Sequence, residues 1–138
     1  MSALATRIFR GREAVAALDP ADRGLAYGDG LFETMRVAGG CIPWWDAHLA
    51  RLARSAQVLG LPAPDAGWLQ AQCQDLIDAA PEQAVLKLVL TRGAGGRGYR
   101  APDAPTPISA PSSQVTRLPP RRKTAGPRPS SPPAFWLA

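Results

Sequence analysis

Apolar and polar positions fall into two periods along this chain. Leu31, Glu33, Met35 and Val37 alternate with Phe32, Thr34 and Arg36, a period of two that predicts a strand with one face toward a core. The residues before it, Asp22-Arg23-Gly24-Leu25-Ala26-Tyr27-Gly28-Asp29-Gly30, read as a turn-prone loop whose glycines suit a backbone passing close to something bound. Ala38-Gly39-Gly40 supplies the positive-φ positions of a tight hairpin, and Cys41-Ile42-Pro43-Trp44 returns as an edge or very short strand, because Pro43 has no N–H to donate. Leu49, Leu52, Ala53, Ala56 and Leu59 then recur at helical spacing. They predict an amphipathic helix over 46–59, capped by Asp46 and ended by Gly60 and Pro62, with His48, Arg51 and Ser55 on another face. A second helix is predicted over 65–79, with Trp68, Leu69, Cys73, Leu76 and Ile77 along one side. From Ala84 to Thr91 apolar residues occupy both parities around Lys87, as in a strand covered on both faces. Near the start, Thr6 to Arg10 reads as a short strand, Gly11-Arg12 as a turn, and Glu13 to Leu18 as either a strand or a helical turn.

Composition divides the chain near residue 100. Of its 138 residues, 1–100 carry 11 Lys+Arg against 10 Asp+Glu, whereas 101–138 carry five basic residues against Asp103 alone and ten of the 15 prolines. The stretch 101–138 lacks helical or strand periodicity, and this Pro/Arg-rich composition predicts a disordered or polyproline-II tail, because little apolar surface is available to offset the entropy of ordering. The mixed, scattered charges of the first hundred residues argue against a nucleic-acid face. No apolar run approaches the roughly 18 residues a membrane span needs, so no membrane partner is expected. Cys41 and Cys73 are isolated thiols, with neither a disulfide framework nor a metal-ligand spacing around them. Together with a start that lacks the pattern of a secretory signal, they point to the cytoplasm.

The candidate chemistry is anionic. Arg51 is either a solvated helix charge or a guanidinium fork for a phosphate, and Arg54 reads as a surface charge. Arg92-Gly93-Ala94-Gly95-Gly96-Arg97-Gly98-Tyr99 combines four glycines with two arginines. Such a loop can cradle an anion through N–H and guanidinium donors, or be no more than a loose hairpin tip. It is not a P-loop, since the spacing differs and no Lys-Ser/Thr opens a helix after it.

Asp22-Arg23-Gly24 followed by Gly28-Asp29-Gly30-Leu31-Phe32-Glu33-Thr34 resembles the opening signature of the class IV aminotransferases, the fold-type IV enzymes that use pyridoxal 5′-phosphate (PLP). His48-Leu49-Ala50-Arg51-Leu52 is similar to the family's helix whose arginine holds the cofactor phosphate. Leu86 to Tyr99 resembles the aminodeoxychorismate lyase branch. The resemblance implies an α+β fold for residues 1–100: the small N-terminal domain of a fold-type IV enzyme, an antiparallel sheet with the two predicted helices on one face. It implies Arg51 as the phosphate anchor and Tyr27, Phe32, Thr34, Arg92 and Arg97 on the substrate side. It also implies a homodimeric lyase that converts 4-amino-4-deoxychorismate to p-aminobenzoate and pyruvate for folate synthesis, with no metal. The alternatives are a class IV aminotransferase acting on D-amino or branched-chain amino acids, which Arg92 to Tyr99 argues against, and a non-catalytic binding fragment. The family's Schiff-base lysine and the domain that carries it have no counterpart among these motifs. Lys87 lies in the predicted strand and Lys123 in the Pro-rich tail, so no residue is expected to act as the catalytic lysine. The tail composition suggests a frameshifted or truncated chain in which the familiar sequence stops near Ile108 and which lacks activity by itself.

Overall fold

The computed structural model describes residues 5–95, 98 and 100, together with the backbone of 108–110. The chain opens with a two-stranded antiparallel hairpin, β1 (Ile8–Arg10) and β2 (Glu13–Val15), turned at Gly11, so the ambiguous stretch after residue 12 begins as a strand. Phe9 is buried edge-on against Trp68, their ring centroids 5.0 Å apart, which ties the hairpin to the rest of the molecule.

Residues 22–29 are not an open loop. Arg23–Tyr27 form one short helix, α1, with Asp22 as its N-cap accepting from the Leu25 amide and Gly28 closing it at φ 66°. Two of the three glycines do meet a close neighbour, and it is the protein's own strand: a Cβ at Gly24 would stand 2.7 Å from Thr91 Cβ, and one at Gly30 would stand 2.5 Å from the Leu90 carbonyl oxygen, whereas one at Gly28 would meet nothing within 4 Å. Strand β3 (Gly30–Ala38) follows with the expected alternation, Glu33, Met35 and Val37 buried and Phe32, Thr34 and Arg36 exposed. The Gly39-Gly40 turn is tight, with both residues at positive φ, and the return strand shrinks to a single bridge between Ala38 and Cys41.

Helix α2 (Trp45–Val58) starts one residue before the predicted cap. Trp45 packs on the core and is drawn into the first turn, which leaves Trp44 as a left-handed N-cap without a side-chain hydrogen bond. Asp46 therefore acts only as a first-turn charge on the helix dipole. The helix ends as predicted at Gly60, where the Gly60 amide donates to Gln57 O and the Leu61 amide to Ala56 O. Its apolar stripe is narrower than expected: Leu52 and Ala56 are buried and Leu49 half-buried, but Ala53 and Leu59 are exposed. Helix α3 (Ala66–Asp78) is capped by Asp65, which accepts from the Trp68 amide, and buries Leu69, Cys73, Leu76 and Ile77.

Strand β4 (Gln83–Thr91) pairs antiparallel with β3 along its whole length, Gly30 opposite Thr91 and Ala38 opposite Gln83. One face of this pair, Met35, Val37, Ala84, Leu86 and Leu88, packs against Leu52 of α2 and the buried side of α3. Burying each large apolar side chain there contributes about 1.5–3 kcal/mol. The expectation of a strand covered on both faces is corrected here: Ala84, Leu86, Leu88 and Leu90 are buried, while Val85, Lys87 and Val89 are only half-covered on the outer face. The expectation that nothing regular follows residue 100 is corrected too. Ile108–Ala110 form β5, antiparallel to β4 with Thr91 opposite Ile108. Three residues are too few to display a period, and the unpaired backbone edge of β4 supplies the reason to pair. The rest of 101–138 lies outside the described residues. Fold class is otherwise as the resemblance implied, with two small antiparallel sheets in place of one and α1 as an added helix. Among the described residues no helix is long and apolar enough to cross a membrane.

Candidate functional site

Three groups of polar side chains surround β3. The first grows from Glu33, a carboxylate at an inward position of an otherwise apolar face, with 5% of its side chain exposed. A buried charge needs a partner, and α2 brings two, because His48 and Arg51 stand one helical turn apart. Arg51 Nε donates to Glu33 Oε1 at 2.7 Å and its Nη2 donates to Oε2, while His48 Nδ1 donates to Oε2 at 2.9 Å. Burial pushes the Glu33 carboxyl up, but the hydrogen bonds of Arg51 and His48, with their charges, together outweigh it and hold the group below its usual range. The same pair raises the Arg51 pKa, chiefly through the hydrogen bond to Glu33. Arg51 nonetheless keeps 59% of its side chain exposed. Its fork is spent on Glu33 on one edge only, and Nη1 lies on the other edge. That edge fits a phosphate monoester, which guanidinium N–H groups bind by charge-assisted hydrogen bonds.

The second group is closed. Asp29 accepts from Arg23 Nε at 2.8 Å and from Arg92 Nε at 2.9 and 3.1 Å, and the two arginine side chains are only 2% and 10% exposed. Burial raises the Asp29 pKa, and the hydrogen bonds first of Arg23 and then of Arg92 reverse this and leave it lowered. Arg92 also donates through Nη2 to the Leu59 carbonyl at 2.7 Å, capping the end of α2. Next to them Thr91 Oγ1 donates to the buried Asp22 at 2.8 Å. Arg23 reaches on to the Gly98 carbonyl and lies over the Tyr27 ring, whose hydroxyl accepts from the Gly98 amide.

The third group is on the outer face of the sheet. Phe32 is 63% exposed, Thr34 stands beside it, and Lys87 lies directly across from Thr34 with Nζ 5.0 Å from the Phe32 ring centre. The candidate residues thus separate. Tyr27 and Arg92 are joined through Arg23, which lies over the Tyr27 ring and shares Asp29 with Arg92. Phe32 and Thr34 share the outer face, and Arg51 works from the helix side. Arg97 lies outside the described residues. Sequence reasoning passed over Glu33, Arg23, Asp29 and Lys87 as site residues. Glu33 did carry a signal, a lone acid at an inward position; the pairing of Arg23 with Asp29 and Arg92 carried none. An open cleft of about 420 Å³ between the β1–β2 hairpin and α3 has, among the described residues, Arg7 as its only ionisable lining group. Among the described residues no group of acids, histidines and cysteines could hold a metal.

The profile of the family described as Amino-transferase class IV matches residues 30–137, well over half of the chain and past Ile108, where the tail composition had suggested that the likeness ends. This chain belongs to the class IV aminotransferase family. The family's enzymes depend on PLP. An aminodeoxychorismate lyase of Vibrio harveyi is 34% identical over 92 residues, covering 63% of this chain and 32% of the relative. A D-alanine aminotransferase of Bacillus licheniformis is 33% identical over 98 residues, covering 67% and 35%. The crystal structure of 4-amino-4-deoxychorismate lyase from Pseudomonas aeruginosa superposes with a TM-score of 0.62 at 36% identity, covering 87% of this chain and 39% of that one. The chain therefore spans about a third of the length of the curated relatives it matches.

Proposed function

We propose that this chain is the phosphate-anchoring part of a PLP-dependent lyase of the aminodeoxychorismate type, which converts 4-amino-4-deoxychorismate to p-aminobenzoate and pyruvate. The observation that carries the reading is the Glu33–Arg51 fork, a guanidinium fixed on one edge and open on the other. PLP, when bound, supplies an electron sink for negative charge that develops as bonds to the substrate break. Arg51 would hold its phosphate with a charge that does not titrate near neutral pH. On the outer face the exposed Phe32 ring offers a flat apolar surface to a six-membered ring, the Thr34 hydroxyl a hydrogen bond, and Lys87 a cation for a carboxylate. Because Glu33 and Thr34 are consecutive, β3 fixes both surfaces relative to each other. The covalent lysine is not assigned to this chain: Lys87 is committed to the outer face over Phe32, and Lys123 lies outside the described residues. A homodimer is part of the same reading.

The second reading, a class IV aminotransferase for D-amino or branched-chain amino acids, is favoured by the D-alanine aminotransferase likeness. The complete protein containing this region separates the two. Pyruvate released from 4-amino-4-deoxychorismate without any keto-acid acceptor is the expected result. Amino transfer that requires a keto acid, with no pyruvate released from 4-amino-4-deoxychorismate, overturns it.

A further inference from the structure

Two polar ties join α2 to the start of β3. One is the Glu33 carboxylate, held by His48 and Arg51. The other runs through Arg92, a residue of neither element. Arg92 follows β4 directly, and its backbone amide donates to the Asp29 carbonyl at 3.1 Å, which sets its side chain beside the first residues of β3. There the guanidinium divides its donors. Nε donates to the two Asp29 carboxylate oxygens at 2.9 and 3.1 Å, and Nη2 donates to the Leu59 carbonyl at 2.7 Å. Leu59 is the C-cap of α2, where the last carbonyls have no partner within the helix and where the helix dipole favours a cation. Flanking Leu59 in sequence, Ala56 and Leu61 pack with Leu90 and the half-buried Leu31 in a small core of their own. Arg92 is buried, and lysine could not replace it, because one ammonium nitrogen cannot serve Asp29 and Leu59 in two directions.

This second tie acts at the far end of a lever. Trp45 packs on the core at the start of α2. At about 1.5 Å of rise per residue, Arg51 stands about 9 Å and Leu59 about 21 Å along the axis from Trp45. A swing of about 2 Å at Leu59 therefore becomes about 1 Å at Arg51. The bonds to Glu33, 2.7 Å from Arg51 Nε and 2.9 Å from His48, do not survive a lengthening of that size. We infer that Arg92 is a positioning residue for Arg51: by fastening the end of α2 to the start of β3, it keeps the Arg51 guanidinium on Glu33 with its other edge turned outward. This moves Arg92 from substrate contact to support. Only the use of Arg51 on a phosphate rests on the lyase reading; the fastening rests on the distances above.

The test uses the whole 138-residue chain labelled with nitrogen-15, with the order of the arginine Nε groups read by NMR relaxation. Arg92→Lys keeps a cation beside Asp29 and releases Leu59. The Arg51 Nε group should then turn from ordered to mobile, while the central amides of β3 and β4 stay protected from exchange. Arg23→Lys is the control, since it weakens the same Asp29 pairing from the side of α1, and Arg51 should stay ordered there. The probe is phenyl phosphate, a phosphate monoester. It should shift the Arg51 Nε signal in the unsubstituted chain and bind about threefold or more weakly to Arg92→Lys. The inference is overturned if Arg51 stays ordered in Arg92→Lys, loosens equally in both variants, or loosens with no loss of phenyl phosphate affinity. If Arg51 loosens only in Arg92→Lys but phenyl phosphate moves no arginine signal in the unsubstituted chain, the positioning stands and the phosphate reading fails. Should either variant not fold, the unsubstituted chain in urea below its unfolding midpoint decides. Arg51 Nε should become mobile no later than Arg92 Nε, and an Arg51 still ordered after Arg92 has loosened overturns the inference.

Discussion

Asp29 and Glu33 lie four residues apart around the start of β3, and each is a largely buried carboxylate that accepts from arginine. Their arginines have opposite fates. Arg23 and Arg92 are spent inside the protein, on Asp29, Gly98 and Leu59. Arg51 uses one edge of its guanidinium on Glu33 and leaves most of its side chain in solvent. The same carboxylate–guanidinium chemistry therefore fastens the fold in one place and aims a cation outward in the other. Solvent access to the guanidinium decides which, and the contrast can be broken by substitution.

The largest effect is expected at the closed cluster. Asp29→Ala leaves two buried guanidinium groups without their carboxylate, and stability should fall by about 3–5 kcal/mol, read as the shift of the urea midpoint. A loss under about 1 kcal/mol would mean that the cluster does not fasten the fold.

Glu33→Gln should cost less, about 1–3 kcal/mol, since an amide can still accept from Arg51 Nε while its NH2 opposes Nη2. Its second consequence is specific to the open site. The Arg51 side-chain NMR signals should broaden or average as the held edge is released, whereas those of Arg92 should not change. Equal loosening of both arginines would erase the distinction between the two clusters.

Acid should act on both sites together. Asp29 and Glu33 have folded-state pKa values below their ordinary ones, so each contributes stability that is fully present above the unfolded-state pKa values of about 3.9 and 4.3. That stability is lost as pH falls through the lower folded values. Urea midpoints should be flat from pH 7 to about 5 and decline below about 4, and Glu33→Gln should make the decline shallower. A midpoint that rises on acidification would contradict the ion-pair assignment.

The smallest effect on stability, and the clearest on binding, belongs to Arg51→Ala. His48 remains on Glu33, so the unfolding midpoint should move less than for either carboxylate variant. For the 138-residue chain by itself, PLP should bind more tightly than pyridoxal by a margin that shrinks with added salt and vanishes in Arg51→Ala. Borohydride reduction followed by peptide mapping should find no lysine selectively modified. A single stoichiometric PLP–lysine that depends on Arg51 would show that the chain carries a covalent site as well as a phosphate contact.

The elements that follow a local period were legible before any coordinates. The alternation from Leu31 to Val37, the α3 stripe and the Gly60 stop all stand where the residues put them. Apart from α1, whose caps Asp22 and Gly28 are local, the errors fall where distant packing overrode local preference. Trp45 entered the core and took the helix start from Asp46, and Ile108–Ala110 joined a strand edge that no composition could announce. Arg51 was legible as an anion-binding candidate through its motif, but its restraint by Glu33, 18 residues away, was not.

By itself, then, the chain determined β1, β3 and β4, its two main helices, its hairpin turn and the family whose motifs it carries. These depend on neighbours within a turn or a pleat, where side-chain period and backbone preference act directly. Only the tertiary structure decided which charges meet. Arg23 finds Gly98 across 75 residues, Arg92 finds Asp29 across 63, and both meetings exist because β3 and β4 pair in one register. Shifting that register by one residue would turn Glu33 out to solvent and leave Arg51 without the carboxylate that aims it.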